Sequence, residues 1–359
     1  YLLSRMGMDM AGEADIALKA ANSHSPGMVF PFRAEDLPAL KWAEEKTGDW
    51  KPRYYQALVY WANQQKGKAK ELLDSCEPGR FAPFYLSRSL MKEGVGRLED
   101  IRKAEKIEPS WRVAVALLDY YTEAADWKMV VEVGKKYQKK YPDNYYLGLK
   151  YAKGLCEAGE YRPCIALLKR LRVLPNEGAY AGRAVYRAAN LYQAMDRLAQ
   201  RKYADVLESV EASREWRENL GVGKPYDDQI DDRLENYLSA KAYAAMGEKA
   251  KSDELYRKVA EKRMNPQHFS SANLLSALAM KEIGEASEAD GWVASWSKRF
   301  TGNKAAEWCQ AIYQGDRRKA EAMIRDRKEQ TDATPWENSY RDANFDLMLR
   351  LSALLLQAR

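Results

Sequence analysis

The chain has 359 residues, of which 46% are hydrophobic and 31% charged, with only 13 prolines and 21 glycines. Its 58 basic and 52 acidic residues leave a formal charge of +6, too dilute over this length for the concentrated field of a nucleic-acid binder. Four scattered cysteines (Cys76, Cys156, Cys164, Cys309) exclude a disulfide framework and a zinc quartet, and no apolar run reaches the ~18 residues of a membrane span.

In chain order, residues 1–33 read as a partial helix hairpin, hinged at Ala11-Gly12 and stopped at Pro26, followed by an apolar linker to Arg33. The chain opens on Tyr1 part-way through a helical pattern, so a preceding segment is expected and the compartment is left open. A helix starts near Ala34 or Glu35 and ends at Gly48; Lys51–Gln64 and Lys68–Cys76 are two more. Phe81–Glu93 and Leu98–Ile107 pair about a hinge at Gly94-Val95-Gly96. From Trp111 the pattern is regular. Trp111–Ala124 and Lys128–Lys140 turn at Ala125-Asp126-Trp127, and the next hairpin, Tyr145–Asn176, turns at Gly159-Glu160-Tyr161, about one 34-residue period later. Ala179–Leu198 with Gln200–Arg217 is longer. Asp227–Met246 with Lys249–Arg263 turns at Gly247 and stops at Pro266, Phe269–Ile283 with Ser287–Phe300 turns at Gly284, and Lys304–Gln314 with Arg317–Lys328 turns at Gly315. The last helix, Trp336–Gln357, has no partner in sequence.

These hairpins resemble tetratricopeptide repeats. The family's small residue late in each first helix falls on Ala152, Ala194, Ala240 and Ala277; its small residue early in each second helix falls on Cys164, Val206, Ser252 and Ala289. Closing prolines stand at Pro142, Pro175 and Pro266. The early aromatic is replaced by Gly148 and Asn236, so the array is divergent. The resemblance implies an all-α fold, an α-α superhelix of antiparallel hairpins over residues 34–335, closed by a capping helix over 336–359. It implies further that first helices line a concave groove, which here shows Arg112, Tyr146, Lys150, Lys153, Tyr192, Tyr237 and Lys241. A weaker likeness, carried by Val29-Phe30-Pro31-Phe32-Arg33 and Asp49-Trp50-Lys51-Pro52-Arg53-Tyr54-Tyr55-Gln56-Ala57-Leu58, is to a junction in certain large bacterial proteins. There a β-rich, carbohydrate-related domain precedes a tetratricopeptide tail.

Groups that could carry chemistry are sparse. His24 and His268 are the only histidines and lie far apart in the array. The acidic run Asp227-Asp228-Gln229-Ile230-Asp231-Asp232 lacks the alternating ligands and central glycine of a calcium loop and reads as the first turn of a helix. Gly221-Val222-Gly223-Lys224 has Glu218 and Pro225 where a phosphate loop needs Gly and Ser or Thr. Cys156 and Cys164 fall on facing helices and read as core thiols. No catalytic residue, metal site or cofactor is expected. The expected function is a non-enzymatic scaffold binding a protein or peptide, or its own preceding domain, in the groove. The alternative is a helical accessory region of a carbohydrate-active protein; a homodimer through the last helix is a further option.

Overall fold

A computed structural model describes residues 11–176, 179–262, 267–329, 342 and 344–357. Among these the regular elements are all helices, and the chain is an all-α array of antiparallel hairpins. It divides into two compact units, residues 1–141 and 142–359. Among the described residues no helix is long and apolar enough to cross a membrane.

In the N-terminal unit α1 (Ala11–Ser23) precedes α2 (Leu37–Thr47), α3 (Trp50–Ala62) and α4 (Lys66–Asp74), then the pairs α5 (Ala82–Ser89) with α6 (Gly94–Ile107) and α7 (Trp111–Glu123) with α8 (Trp127–Lys140). Tyr54, Ala57, Leu73, Cys76 and Phe84 form a buried cluster, ringed by Trp50, Tyr55 and Phe81. Charge fixes the seams. Asp100 of α6 is buried and takes two hydrogen bonds from Arg88 of α5, at 2.8 and 2.6 Å. Glu105 of α6 accepts from Lys136 Nζ (2.9 Å) and the Tyr137 hydroxyl (2.7 Å) of α8, and from Arg102 of its own helix (2.5 Å). Burial alone would raise the Glu105 carboxyl, but these three donors outweigh it and pull it down to about 2. A depressed folded value means stability that is complete above the ordinary 4.5 and is lost as pH falls toward 2. Glu105→Gln is therefore expected to flatten the acid limb of the unit's pH–stability curve between those values. The effect should be about 1–2 kcal/mol after allowing for solvent screening, read by urea titrations at several pH values.

Among the described residues the C-terminal unit holds five hairpins: α9 (Tyr145–Glu157) with α10 (Tyr161–Arg170), α11 (Ala181–Ala199) with α12 (Tyr203–Ser213), α13 (Arg233–Ala245) with α14 (Lys249–Glu261), α15 (Asn273–Glu282) with α16 (Ala286–Arg299), and α17 (Lys304–Gln314) with α18 (Arg317–Glu329). Each second helix packs on the first helix of the next hairpin, and the first helices α9, α11, α13, α15 and α17 also touch in succession. They form one continuous wall. The helix α19 (Phe345–Gln357) is described from its start, whereas residues 336–341 of the expected last helix, like Tyr1–Met10 and Pro266, lie outside the described residues.

One backbone device recurs at most of the hinges. The amide nitrogens of Gln65, Asp126, Glu160, Lys202, Glu248, Glu285 and Asp316 each donate to the carbonyl five residues earlier, at 2.8–2.9 Å. This is the 6→1 bond of a Schellman helix stop, which needs a left-handed residue just before the donor. Glycine supplies it at Gly159, Gly247, Gly284 and Gly315, but Gln64, Ala125 and Arg201 also adopt φ of 61°, 51° and 59°. Each of those three costs about 1 kcal/mol that a glycine would not.

The small residues lie where the helices cross. Ala152, Ala194, Ala240 and Ala277, and opposite them Cys164, Val206, Ser252 and Ala289, are all buried. Two crossings carry the same hydrogen bond: Cys164 Sγ donates to Ala152 O (3.1 Å) and Ser252 Oγ to Ala240 O (3.0 Å). There is no room for a longer side chain. Ala240→Leu is expected to cost about 1–3 kcal/mol in a thermal or urea melt by overpacking the α13–α14 crossing.

Several expected boundaries differ. Ala11 and Gly12, expected as a hinge, are the first residues of α1. The helix expected to reach Arg217 ends at Ser213, and the last helix starts at Phe345, with Asp342 and Asn344 outside it. Gly94 is the first residue of α6 rather than part of a loop, and the turn falls at residues 90–93. The acidic run is not one helix start: Asp227–Gln229 is an isolated 3₁₀ turn, and the chain stays extended at Ile230 until α13 begins at Arg233. The physical reason is that the Asp231 carboxylate is held by the Arg233 guanidinium.

Candidate interaction groove

The wall of first helices carries α19. This helix packs on α11 and on α17, which are three hairpins apart, so it lies across the wall rather than only capping the last hairpin. Its sequence explains the seat. Phe345, Leu347, Met348 and Leu351 recur at helical spacing and are buried. Phe345 meets Trp308 of α17 edge-on, with ring centroids 5.5 Å apart.

Polar contacts fix its position. Arg187 of α11 grips Glu235 of α13 through Nε (2.6 Å) and Nη2 (2.8 Å), and its Nη1 donates to Asn344 Oδ1 (2.7 Å) at the head of α19. Asn344 Nδ2 in turn donates to Asp231 Oδ2 (3.1 Å). Arg233, fully buried at 0% exposure, donates to both Asp231 oxygens (2.8 and 2.7 Å), to Asn273 Oδ1 (2.8 Å) and to the hydroxyls of Ser270 and Ser276. Asp342 accepts from the Ser271 amide (2.5 Å) and the Asn344 amide (3.1 Å). Further along, Arg350 Nη2 donates to the Tyr161 hydroxyl (2.8 Å), lies 3.5 Å from Asp196 and covers the Tyr192 ring. Contacts at Arg187 and then at Tyr192 and Asp196 follow the order Asn344 to Arg350, so α19 runs alongside α11 in the same direction.

The electrostatics follow from burial against pairing. Desolvation would raise the Asp231 carboxyl, but the Arg233 hydrogen bonds and the nearby Arg187 charge hold it below the ordinary range. Arg187 loses solvation as well, and Glu235 more than restores its preference for the charged form. Asp342 goes the other way: its burial, with Asp231 nearby, outweighs the amide hydrogen bonds and raises it. Tyr161 is pushed up to about 12, chiefly by burial.

The structure sorts the expected groove residues. Arg112 lies in the N-terminal unit, exposed, with its guanidinium 4.5 Å from the Trp111 ring centre. On α9, Tyr146 is 58% exposed and stacked on Tyr145, Lys153 is exposed and Lys150 half-buried. Tyr192 and Tyr237 are not open surface: they are 8% and 2% exposed, Tyr192 under Arg350 and Tyr237 against Tyr256 of α14. Lys241 pairs with Glu282 of α15 at 3.1 Å. Tyr237 and Lys241 do share a cavity of about 480 Å³, which Leu278, Ile312, Leu351, Leu354 and Leu355 also line.

The groups with chemical potential are dispersed. His24 and His268 are exposed and belong to different units. All four cysteines are free and buried; burial raises the Cys76 thiol to about 11 and the Cys309 thiol well above its ordinary value, and proximity to Cys164 together with burial raises Cys156. Thiols so held are poor nucleophiles. Among the described residues no group of three or more His, Cys, Asp or Glu is placed to hold a metal ion. What the wall can do chemically is hold a helix by an apolar stripe and read an arginine on it.

Sequence reasoning missed Arg187, Asp231, Arg233, Glu235, Asn344 and Arg350 as members of one site. One local signal existed: Arg350 interrupts the apolar run Leu347-Met348-Leu349-Arg350-Leu351, which a plain capping helix does not require. No family model matches this chain, and no curated protein matches it significantly.

Proposed function

We propose that this chain is a non-enzymatic interaction scaffold, a divergent tetratricopeptide array whose C-terminal unit receives a helix of a partner protein along its first helices. The observation that carries the reading is the wall itself, which already holds the amphipathic helix α19 by an apolar stripe, an asparagine and an arginine. A surface that folds around one helix of this kind has the shape and charge for another. The buried small-residue crossings and the repeated hinge support the repeat assignment. Exposed Tyr146 and Lys153 on α9 extend the same wall beyond α19 and are its free contact surface.

The test is affinity capture with the intact chain, with captured proteins identified and each re-tested in purified form. A true groove partner binds the parent and loses at least tenfold in affinity with Tyr146→Ala plus Lys153→Glu. A partner held equally by parent and double variant overturns the groove assignment.

One observation favours a second reading, a sugar-binding accessory surface. Tyr180, half-exposed, meets Trp216 edge-on at 6.0 Å beside an open hollow of about 470 Å³ that Glu215, Arg217, Glu218 and Asn219 also line. Aromatic faces flanked by carboxylate and amide groups suit a saccharide edge. Binding of an oligosaccharide panel that Trp216→Ala abolishes would favour it, and a flat panel removes it.

A further inference from the structure

We propose that α19 is a resident ligand of its own groove, displaced when the amphipathic helix of a partner protein binds there. The partner helix is one with arginine at the Arg350 position, a neutral or basic residue four positions before it, and an aromatic residue four positions after it. This rests on the scaffold reading above and names the partner's chemistry and its regulation.

Three observations carry it. First, α19 is tied to helices far away in sequence by side chains that any helix could present: Asn344 to Arg187, and Arg350 to Tyr161 and Asp196. Nothing in these contacts requires the helix to belong to the same chain. Second, α19 underfills its seat. Leu351, Leu354 and Leu355 border the cavity of about 480 Å³, with Leu278 and Ile312 on its other side. The hollow is open on one side, where Arg201, Lys241 and Glu282 stand, and its apolar wall forfeits the packing a larger side chain on α19 would gain. An aromatic ring at the position of Leu354 reaches into it.

Third, the charge match is incomplete. Arg350 faces the acidic Asp196, which is complementary, but Asp346 lies one turn before Arg350 and close enough to Glu157 to disfavour its charge. Although Glu157 still reaches solvent, crowding and Asp346 outweigh Lys153 and Arg350 and raise its carboxyl. A lysine in place of Asp346 turns that repulsion into attraction. The resident helix is therefore correct in pattern and suboptimal in strength, which is what a displaceable occupant requires, since a competitor shifts the equilibrium only by its differential affinity.

The experiment uses the full chain and three labelled peptides: residues 342–357 as they stand, the same peptide with Asp346→Lys and Leu354→Trp, and that improved peptide with Arg350→Glu. Binding is read by fluorescence anisotropy and the fate of α19 by amide hydrogen exchange. Expected are binding of the improved peptide, at least tenfold weaker binding of the parental one, and loss of binding with Arg350→Glu. At saturation the α19 amides lose protection while those of α13 and α15 keep theirs. The inference is overturned if the improved peptide does not bind, if it binds with α19 still protected, or if Arg350→Glu leaves binding unchanged. None of these outcomes touches the scaffold reading, which stands or falls on the partner lost with the α9 variant.

Discussion

Arg233→Met is expected to destabilise the C-terminal unit by about 3–5 kcal/mol, because it leaves the Asp231 carboxylate buried without its principal counter-charge. Arg233 is fully buried, and its fork reaches Asp231, Asn273, Ser270 and Ser276 at once. Methionine replaces the stem but none of the donors. Arg187 does not substitute, since Nε and Nη2 are committed to Glu235 and Nη1 to Asn344. The check is a urea titration followed by circular dichroism, with the midpoint shifting at a nearly constant slope. Pairing Arg233→Met with Asp231→Leu should recover much of the loss, since replacing both members of a buried pair by apolar groups is far less costly than orphaning one. If the single variant melts like the parent, the network is not what holds the start of α13 in place.

Trp308→Ala is expected to cost a similar 3–5 kcal/mol by opening a cavity under the head of α19. Trp308 is among the largest fully buried side chains and is the surface against which Phe345 rests. Among the described residues its buried indole nitrogen has no hydrogen-bond partner, so the site uses the ring for volume rather than for its donor. Trp308→Phe should therefore lose under about 1.5 kcal/mol, because the smaller ring also removes that orphaned N–H. Hydrogen exchange adds a readout that overall stability does not give: α19 amides should lose more protection than those of α14 in Trp308→Ala.

The hairpins were legible because each depends on local chemistry. Apolar spacing locates the helices, and Gly159, Gly247, Gly284 and Gly315 mark hinges where only the left-handed conformation fits. The same hinge at Gln64 and Arg201 escapes a search for glycine, since there the 6→1 backbone hydrogen bond is made around a residue that does not itself favour the conformation. Small positions such as Ala240 and Ser252 were readable for the same local reason: two helices twelve residues apart in sequence must cross somewhere.

The groove was only half legible. Periodicity places Tyr192 and Tyr237 on first helices, but it carries no information on what lies over them. Their burial comes from Arg350 and Tyr256, and the partners of Asp231 include a residue more than a hundred positions away. Helical pattern repeats every few residues, whereas the arginines, asparagines and carboxylates of the site come from four separate segments. The acidic run misread as one helix start shows the same limit, because Asp231 is positioned by guanidinium groups rather than by the dipole of its own helix.

A stacked array of hairpins is held by neighbour-to-neighbour terms, so in general its ends fray first and its melting broadens with length. The α19 contacts change that arithmetic here. They tie residue 344 to residue 187 and residue 350 to residue 161, bridging most of the C-terminal unit with a single helix. Opening α17 is then expected to loosen α11, so that the five hairpins melt in one cooperative transition instead of unzipping in turn. The closure also raises the mean sequence separation of contacts, which slows folding relative to an open array of the same helices. Release of α19 would return the unit to a graded, spring-like compliance, so its mechanical stiffness and its groove occupancy become two readings of one equilibrium.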